Sequence, residues 1–287
     1  MNTQPAIQET IKRRFSCRSY EKRSLDSRDQ RRLSDFCAGR TIGPLGNRAR
    51  FMLVHNSPGD STELKGLGTY GMIQGAQAFV IGAIDAGPQA PEDFGYLMEE
   101  IILESTAMEL GTCWLGGSFS RGNFAKKMAL KENELLPAVT PVGYIPDKPR
   151  LLDRIIRRAA GSDNREPWEK LFSNEKFSQP LSKTAAGAYA EVLEMVRIGP
   201  SASNKQPWRI VRQGRRWHFY LQHNPAYLRQ MQLAKIIDLQ RVDMGIGMCH
   251  FALSAQALGL KGQWQIQDPG LEKSDPNQEY SVTWLEA

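Results

Sequence analysis

Three stretches of the 287-residue chain carry side chains suited to chemistry. The first is Arg13-Arg14-Phe15-Ser16-Cys17-Arg18-Ser19-Tyr20, which follows a helical pattern over Ile7 to Lys12. Arg14 and Arg18 flank the Ser16 hydroxyl, and guanidinium groups grip a phosphate through paired, charge-assisted hydrogen bonds. Taken alone, the string equally describes a solvated basic helix end. The second stretch, Gly199-Pro-Ser-Ala-Ser-Asn-Lys-Gln-Pro-Trp208, mixes small residues, which admit a flat ligand to the backbone, with Ser201, Ser203, Asn204 and Gln206 as hydrogen-bonding groups. Its plain alternative is a helix-to-strand loop in which Asn and Ser cap turns. The third is Gly111-Thr-Cys-Trp-Leu-Gly-Gly-Ser118. Its consecutive glycines either present backbone N–H groups to a ring system or form a helix C-cap and turn.

Other chemistries find no support. The chain has no GxSxG elbow, Walker loop, HExxH or dinucleotide GxGxxG after a strand,. Four cysteines (Cys17, Cys37, Cys113, Cys249) lie far apart with no CxxC, the pattern of buried thiols in a reducing compartment,. Four histidines form no ligand cluster, which disfavours a metal enzyme. A net charge of +6 and a pI near 9.1 suit nucleic acid or an anionic small ligand. The local basic clusters at Lys12 to Arg14 and Arg154 to Arg158 have no zinc-finger spacing or RNP-type motif beside them, so the small ligand is expected,. The longest apolar runs, such as Ala76 to Ile84, fall short of the ~20 residues of a bilayer span,. The N-terminus lacks the apolar core of a secretory signal,. A cytoplasmic protein that binds neither membrane nor nucleic acid is expected.

The elements that must position these stretches repeat. Leu25 to Pro44 aligns without gaps on Leu181 to Pro200, and both end in Ile-Gly-Pro. Leu33, Phe36 and Cys37 match Tyr189, Val192 and Leu193, one buried helical stripe in each copy,. Next comes an Asn (Asn47, Asn204), then an aromatic opening a short strand (Phe51, Trp208). Each half later carries a long helix, Tyr96 to Gly111 and Val242 to Gly259, closing in Leu-Gly as a C-cap, with a Trp soon after (Trp114, Trp264),. Four features in one order, twice, predict two related units. Their bounds are 1–172, including a basic connecting arm from Lys148 to Phe172, and 173–287. Strands are expected at Phe51 to Val54, Ala78 to Ile84, Ala138 to Gly143, Trp208 to Val211, Trp217 to Leu221 and Tyr280 to Leu285. The class is α+β, with a small central sheet covered by helices.

Taken together, the strings resemble the nitroreductase family of FMN-dependent oxidoreductases. The marks are Arg14-x-Ser16-x-Arg18-x-Tyr20, the Pro200 to Trp208 loop, Leu110 to Gly116, and Gly143-Tyr-x-Pro146 with a late Arg165 before Pro-Trp-Glu. The resemblance covers most of the chain and implies a nitroreductase-like fold. Ordinary members are single units that dimerise, with FMN at the subunit interface and the Pro-Ser-x-x-Asn loop supplied by the partner. Here that loop lies in the second unit and the other strings in the first, so the chain resembles the duplicated, single-chain nitroreductases of the Thermotoga type. It would then be an intrachain pseudo-dimer and a monomer in solution. The mirror-image site is expected to be lost, because Pro44-Leu-Gly-Asn47 lacks the Ser and the Gln-Pro-Trp, and the second unit opens without an Arg.

By that resemblance, Arg14, Ser16, Arg18 and Arg165 hold the FMN phosphate, with Arg154 or Lys148 as substitutes for Arg165. Pro200, Ser201, Ala202 and Asn204 line the isoalloxazine edge and ribityl chain. Leu115, Gly116 and Gly117 lie over the ring, one N–H near flavin N5, while Thr69, Tyr70 and Gly71 occupy the place of pyrimidine-edge contacts. No catalytic side chain beyond the flavin contacts is expected. The implied activity passes a hydride from NAD(P)H through the flavin to a nitroaromatic, quinone or similar acceptor. The alternatives are an FMN-binding protein without turnover and, with the motifs coincidental, a basic nucleic-acid module. Dehalogenation, flavin fragmentation and azoline oxidation share the fold, so the fold alone does not name the reaction.

Overall fold

Helices α1 (Ile7–Arg13) and α2 (Ser27–Ala38) each bury one stripe, Ile11 in the first and Leu33 with Cys37 in the second. A computed structural model describes residues 6–56, 62–147 and 164–287 of the chain. Asp26 caps α2 by accepting the Asp29 N–H at 2.8 Å,. Strands β1 (Ala49–His55) and β2 (Ala78–Asp85), helix α3 (Ala90–Ala107), β3 (Leu110–Thr112), helix α4 (Arg121–Met128), β4 (Glu134–Leu135) and β5 (Val139–Tyr144) follow. They form an antiparallel sheet in the order β1-β2-β5-β3, with β4 added on β2. Strand β2 reads as one apolar run because both its faces are covered. Val80 and Ile84 pack toward α2 and α3, and Phe79 and Ile81 toward α4. That alternation is the two-residue period of a strand.

After a one-turn helix at Trp168–Leu171, strand β6 (Phe172–Asn174) begins a second sheet. Another short helix (Lys183–Ala186) leads into α5 (Tyr189–Arg197), β7 (Trp208–Gln213), β8 (Arg216–Gln222), α6 (Pro225–Leu233), α7 (Leu239–Ala257), β9 (Gly262–Gln265) and β10 (Gln278–Glu286). The strand order is β6-β7-β8-β10-β9, parallel only between β6 and β7. Its core sets Trp208, Trp217, Phe219 and Val282 against Val192, Met244, Met248 and Phe251 of α5 and α7.

Each of the six expected strands falls on an observed one, but the single central sheet is corrected to two five-stranded sheets. Periodicity marks a strand without naming its partner. The unforeseen strands β3, β4, β6 and β9 are too short to show a period. Trp168, Leu171 and Phe172, at the end of the expected connecting arm, pack into the second core and its sheet. The earlier part of that arm, with Lys148 and Arg154, lies outside the described residues.

Helices α3 and α7 are buried nearly all round because they pack on each other as well as on the sheets,. A Cβ on Gly95 would overlap the Val242 carbonyl oxygen, and one on Gly245 would overlap the Glu92 carbonyl oxygen. Two glycines thus bring the helices into backbone contact at both points. Helix α7 ends as expected, with Gly259 at φ +73° just past its C-cap. Helix α3 corrects the expectation. It stops at Ala107, Glu109 takes the left-handed turn at φ +63°, and Gly111 belongs to β3. There a Cβ would lie 2.7 Å from Cys17 Sγ, so Gly111 serves close packing and not a cap.

Candidate functional site

The first of the three stretches is extended. Arg14 leaves α1 at φ −60°, ψ 130°. Beyond it Cys17 donates to Thr112 of β3 at 2.8 Å, and Arg18 accepts from Gln74 at 2.9 Å. An extended chain alternates its faces, so residues 14, 16 and 18 share one side while Cys17 and Ser19 are buried,. Positions 14 and 18 are then ~13 Å apart along the segment, and only stems as long as arginine's converge from that distance.

The second stretch is held partly by a side chain that was not singled out. The buried Asp243 of α7 accepts the Ala202 N–H at 2.9 and 3.1 Å. Burial pushes its carboxyl well above the usual range, against the Ala202 N–H, which favours the ionised form. Ser201 Oγ accepts from Gln206 N at 2.9 Å. Ser203, Asn204 and Gln206 all have positive φ, at 50°, 52° and 47°. Each such residue costs on the order of 1 kcal/mol and persists where its surroundings enforce it, commonly at ligand clamps. Arg165 is tied to this loop, donating to Asn204 Oδ1 at 3.3 Å and to the Ile198 carbonyl at 3.0 Å.

The third stretch is a fixed turn. Leu115 exchanges backbone hydrogen bonds with Val139 at 3.0 Å, and its side chain is buried in the core beneath. Arg121 donates to the Gly116 carbonyl at 2.8 Å and to the carbonyl of Leu136. A Cβ on Gly116 would overlap Leu239 of α7, and one on Gly117 would meet Ile236 at 3.3 Å.

These stretches meet around a cavity of about 890 Å³, within the range of cofactor and ligand sites. Arg14, Ser16, Arg18, Gly116, Arg165, Pro200, Ser201, Ala202 and Asn204 line it. Leu115 and Gly117 adjoin the wall without lining it, and Tyr70 and Gly71 lie elsewhere, with Tyr70 73% exposed. Thr69 lines a separate hollow of about 550 Å³. The wall also holds Lys12, Arg13 and Arg197, beside Trp114, Ile145, Leu239, Val242 and Ile246. Among the described residues, Asp243 is the wall's carboxylate, so cations dominate it. Arg18 Nη1 is buried without a hydrogen-bond partner among the described residues.

Behind the wall, Glu99 of α3 is wholly buried. It accepts from Trp114 Nε1 at 2.8 Å, lies 2.9 Å from His250 Nε2 and stands 3.9 Å from Arg14 Nε. Sequence reading missed Glu99, His250, Asp243 and Arg121. None sits in a recognisable string, and Asp243 and His250 are masked by the apolar pattern of α7. Among the described residues no cluster of three or more His, Cys, Asp or Glu is placed to hold a metal ion, and no helix is long and apolar enough to cross a membrane. All four cysteines are buried and unbridged, and burial pushes the Cys37 thiol up to about 12.

A family profile described as "Putative TM nitroreductase" matches residues 6–255. A crystal structure of a "putative nitroreductase" from Thermotoga maritima superposes with a TM-score of 0.59 at 16% identity, covering 99% of this chain and 94% of that one. A Bacteroides fragilis nitroreductase with bound FMN covers 51% of this chain and 92% of its own, at 19% identity and a TM-score of 0.39. A Desulfovibrio desulfuricans "putative nitroreductase" in complex with FMN covers 53% and 96%, at 18% identity and a TM-score of 0.39. No curated protein matches the sequence. The chain belongs to the nitroreductase family of the first description.

Proposed function

From that membership, we propose that the protein is an FMN-dependent oxidoreductase passing a hydride from NAD(P)H to a nitroaromatic, quinone or similar electron-poor acceptor. The observation that carries the reading is the cation-rich cavity that joins all three stretches. Its residues fit a phosphate-bearing, planar group. The buried Arg18 Nη1 has no hydrogen-bond partner among the described residues, and Gly116 and the Pro200 loop border the same cavity. Arg14, Ser16, Arg18 and Arg165 would hold the phosphate. Pro200, Ser201, Ala202 and Asn204 would border the ring edge and ribityl chain, and the Leu115-Gly116-Gly117 backbone would cover the ring. Tyr70 and Gly71 take no part in this assignment, because they lie off the cavity wall.

When bound, FMN would supply two-electron redox chemistry between reduced nicotinamide and the acceptor. The chain's task is to position and to exclude water. Arg121 fixes the Gly116 carbonyl, and Asp243 fixes the Ala202 N–H. Leu239, Val242 and Ile246 give the wall an apolar side that keeps solvent from the reacting centre,.

The proposal extends to two related units in one chain, a monomer in the cytoplasm with one flavin. Reciprocal contacts support the pairing. Gly95 faces Val242 as Gly245 faces Glu92, the self-complementary relation of a two-fold interface. Asp93 of α3 accepts the Leu45 and Asn47 N–H groups at 2.8 and 2.9 Å, as Asp243 does for Ala202, each just after Ile-Gly-Pro. Strand β6 then belongs with the second unit, whose sheet it joins. At the first copy's loop, Asn47 spends its side chain on Asp93 and the Pro88 carbonyl.

The test is the visible spectrum of the purified protein reconstituted with FMN, followed by anaerobic addition of NADH or NADPH. Flavin bands at one per chain that bleach with reduced nicotinamide are expected. Bound flavin that stays oxidised would replace the reductase by a flavin-binding protein, and colourless protein would remove the cofactor assignment.

A further inference from the structure

Cations of the cavity wall mostly answer to carboxylates outside it: Lys12 to Glu9, Arg13 to Glu109 and Arg197 to Glu194. Those pairs are at least partly exposed, so water screens them. Arg14 differs. Its side chain is 8% exposed and its carboxylate, Glu99, 0%. In a site that dry an ionised Glu99 would cancel much of the charge that Arg14 offers to an anion in the cavity.

A third group alters that balance. His250 is also fully buried, on α7, with Nδ1 2.9 Å from the Met195 carbonyl and Nε2 2.9 Å from Glu99 Oε1. A carbonyl only accepts, so Nδ1 carries a hydrogen. The facing Nε2 and Oε1 then share a second proton. Glu99 receives Trp114 Nε1–H on its other oxygen and has Arg14 beside it. Whichever of the two atoms holds that proton, the Glu99–His250 pair carries no net charge,. Arg14, Glu99 and His250 together then carry one net positive charge, presented to the cavity through Arg14.

We propose that His250, which does not line the cavity, is a positioning residue. It neutralises Glu99 and thereby keeps that carboxyl group from cancelling the charge that Arg14 presents to the anionic end of the ligand. Glu99 meanwhile holds Arg14 and Trp114 on the wall, and its contact with His250 ties α3 to α7. The inference rests on the FMN reading above, in which Arg14 faces the phosphate.

The experiment measures binding of FMN and of riboflavin, which lacks the phosphate, by quenching of flavin fluorescence on the apoprotein. It compares the wild type, H250Q, E99Q and the double variant. Glutamine at 250 keeps a neutral N–H donor for Glu99 and cannot take up the shared proton. H250Q is expected to bind FMN more weakly by on the order of tenfold, with riboflavin affinity the same in all four proteins. E99Q, alone or added to H250Q, is expected to bind FMN about tenfold more tightly than H250Q does. An unchanged H250Q, an equal loss for riboflavin, or a double variant no better than H250Q would overturn the proposal. If H250Q fails to fold, E99Q decides: FMN binding weakened by tenfold relative to wild type would refute charge compensation. A wild type that binds neither flavin would instead sink the FMN reading itself.

Discussion

Arg14 and Arg18 are close in sequence yet differently supported. Arg14 leans on Glu99, whereas Arg18 keeps a buried nitrogen without a hydrogen-bond partner among the described residues. Replacing either with Ala is expected to weaken FMN binding by roughly 1.5–3 kcal/mol, the worth of a charge-assisted hydrogen bond. Fluorescence titration reads this directly, and unchanged affinity in both variants would move the phosphate elsewhere. Asn47 gives the contrasting case. Its side chain serves Asp93 and Pro88, so Asn47→Ala should cost about 1 kcal/mol of stability and leave flavin stoichiometry alone. A fall in flavin per chain would mean that the first copy's loop also binds. Arg14, Ser16 and Arg18 were legible because their two-residue spacing needs only an extended chain to align them. Asp243, Glu99 and His250 were not, because each matters through a partner distant in sequence.

Among the elements, the packing of α3 on α7 decides the geometry of the site, since α7 supplies Leu239, Val242, Asp243 and Ile246 to the cavity. Gly95→Ala would drive a methyl into the Val242 carbonyl. A loss of about 3 kcal/mol is expected by chemical denaturation, at the upper end of overpacking costs, along with weaker flavin binding. Gly122→Ala is the control. Gly122 sits in α4 with open space around its Cβ position, so the change should stabilise by about 0.5–1 kcal/mol. Equal effects at the two sites would show that helix propensity, and not interhelical contact, governs position 95.

For the whole molecule, one charge cluster joins the halves without lining the cavity. Arg241 of α7 pairs with Glu92 of α3 at 2.9 Å and also with Glu279 of β10. Burial outweighs the attraction of Arg241 and raises the Glu92 carboxyl from 4.5 to about 7. A folded-state value above the unfolded one means that the folded protein binds the extra proton. The stabilisation is therefore complete below about pH 4.5 and is lost as pH rises through about 7,. Glu279 shifts the other way, held low by His223 and Arg241 against its own desolvation. Its contribution is lost only as pH falls through its lowered value. The unfolding free energy from chemical denaturation should thus decline between pH 5 and 8 by about 2–3 kcal/mol, and Glu92→Gln should flatten that slope. A slope unchanged in the variant would place the titration on another group.

The sequence by itself determined what depends on neighbours along the chain. Helix stripes, the longer strands, the Arg-x-Ser-x-Arg face and the Gly-Pro-Ser loop all follow from periods of two and 3.6 residues and from local turn chemistry. Tertiary structure decided what depends on distant pairing. It divided the strands between two sheets, replaced an expected C-cap at Gly111 by a strand packed on Cys17, and left Tyr70 and Gly71 off the cavity. It also set Glu99, His250 and Arg14 within reach of one another. Burial is the physical reason. A charge's partner and its dielectric surroundings exist only once α3 and α7 have closed against each other, and no spacing along the chain encodes that contact.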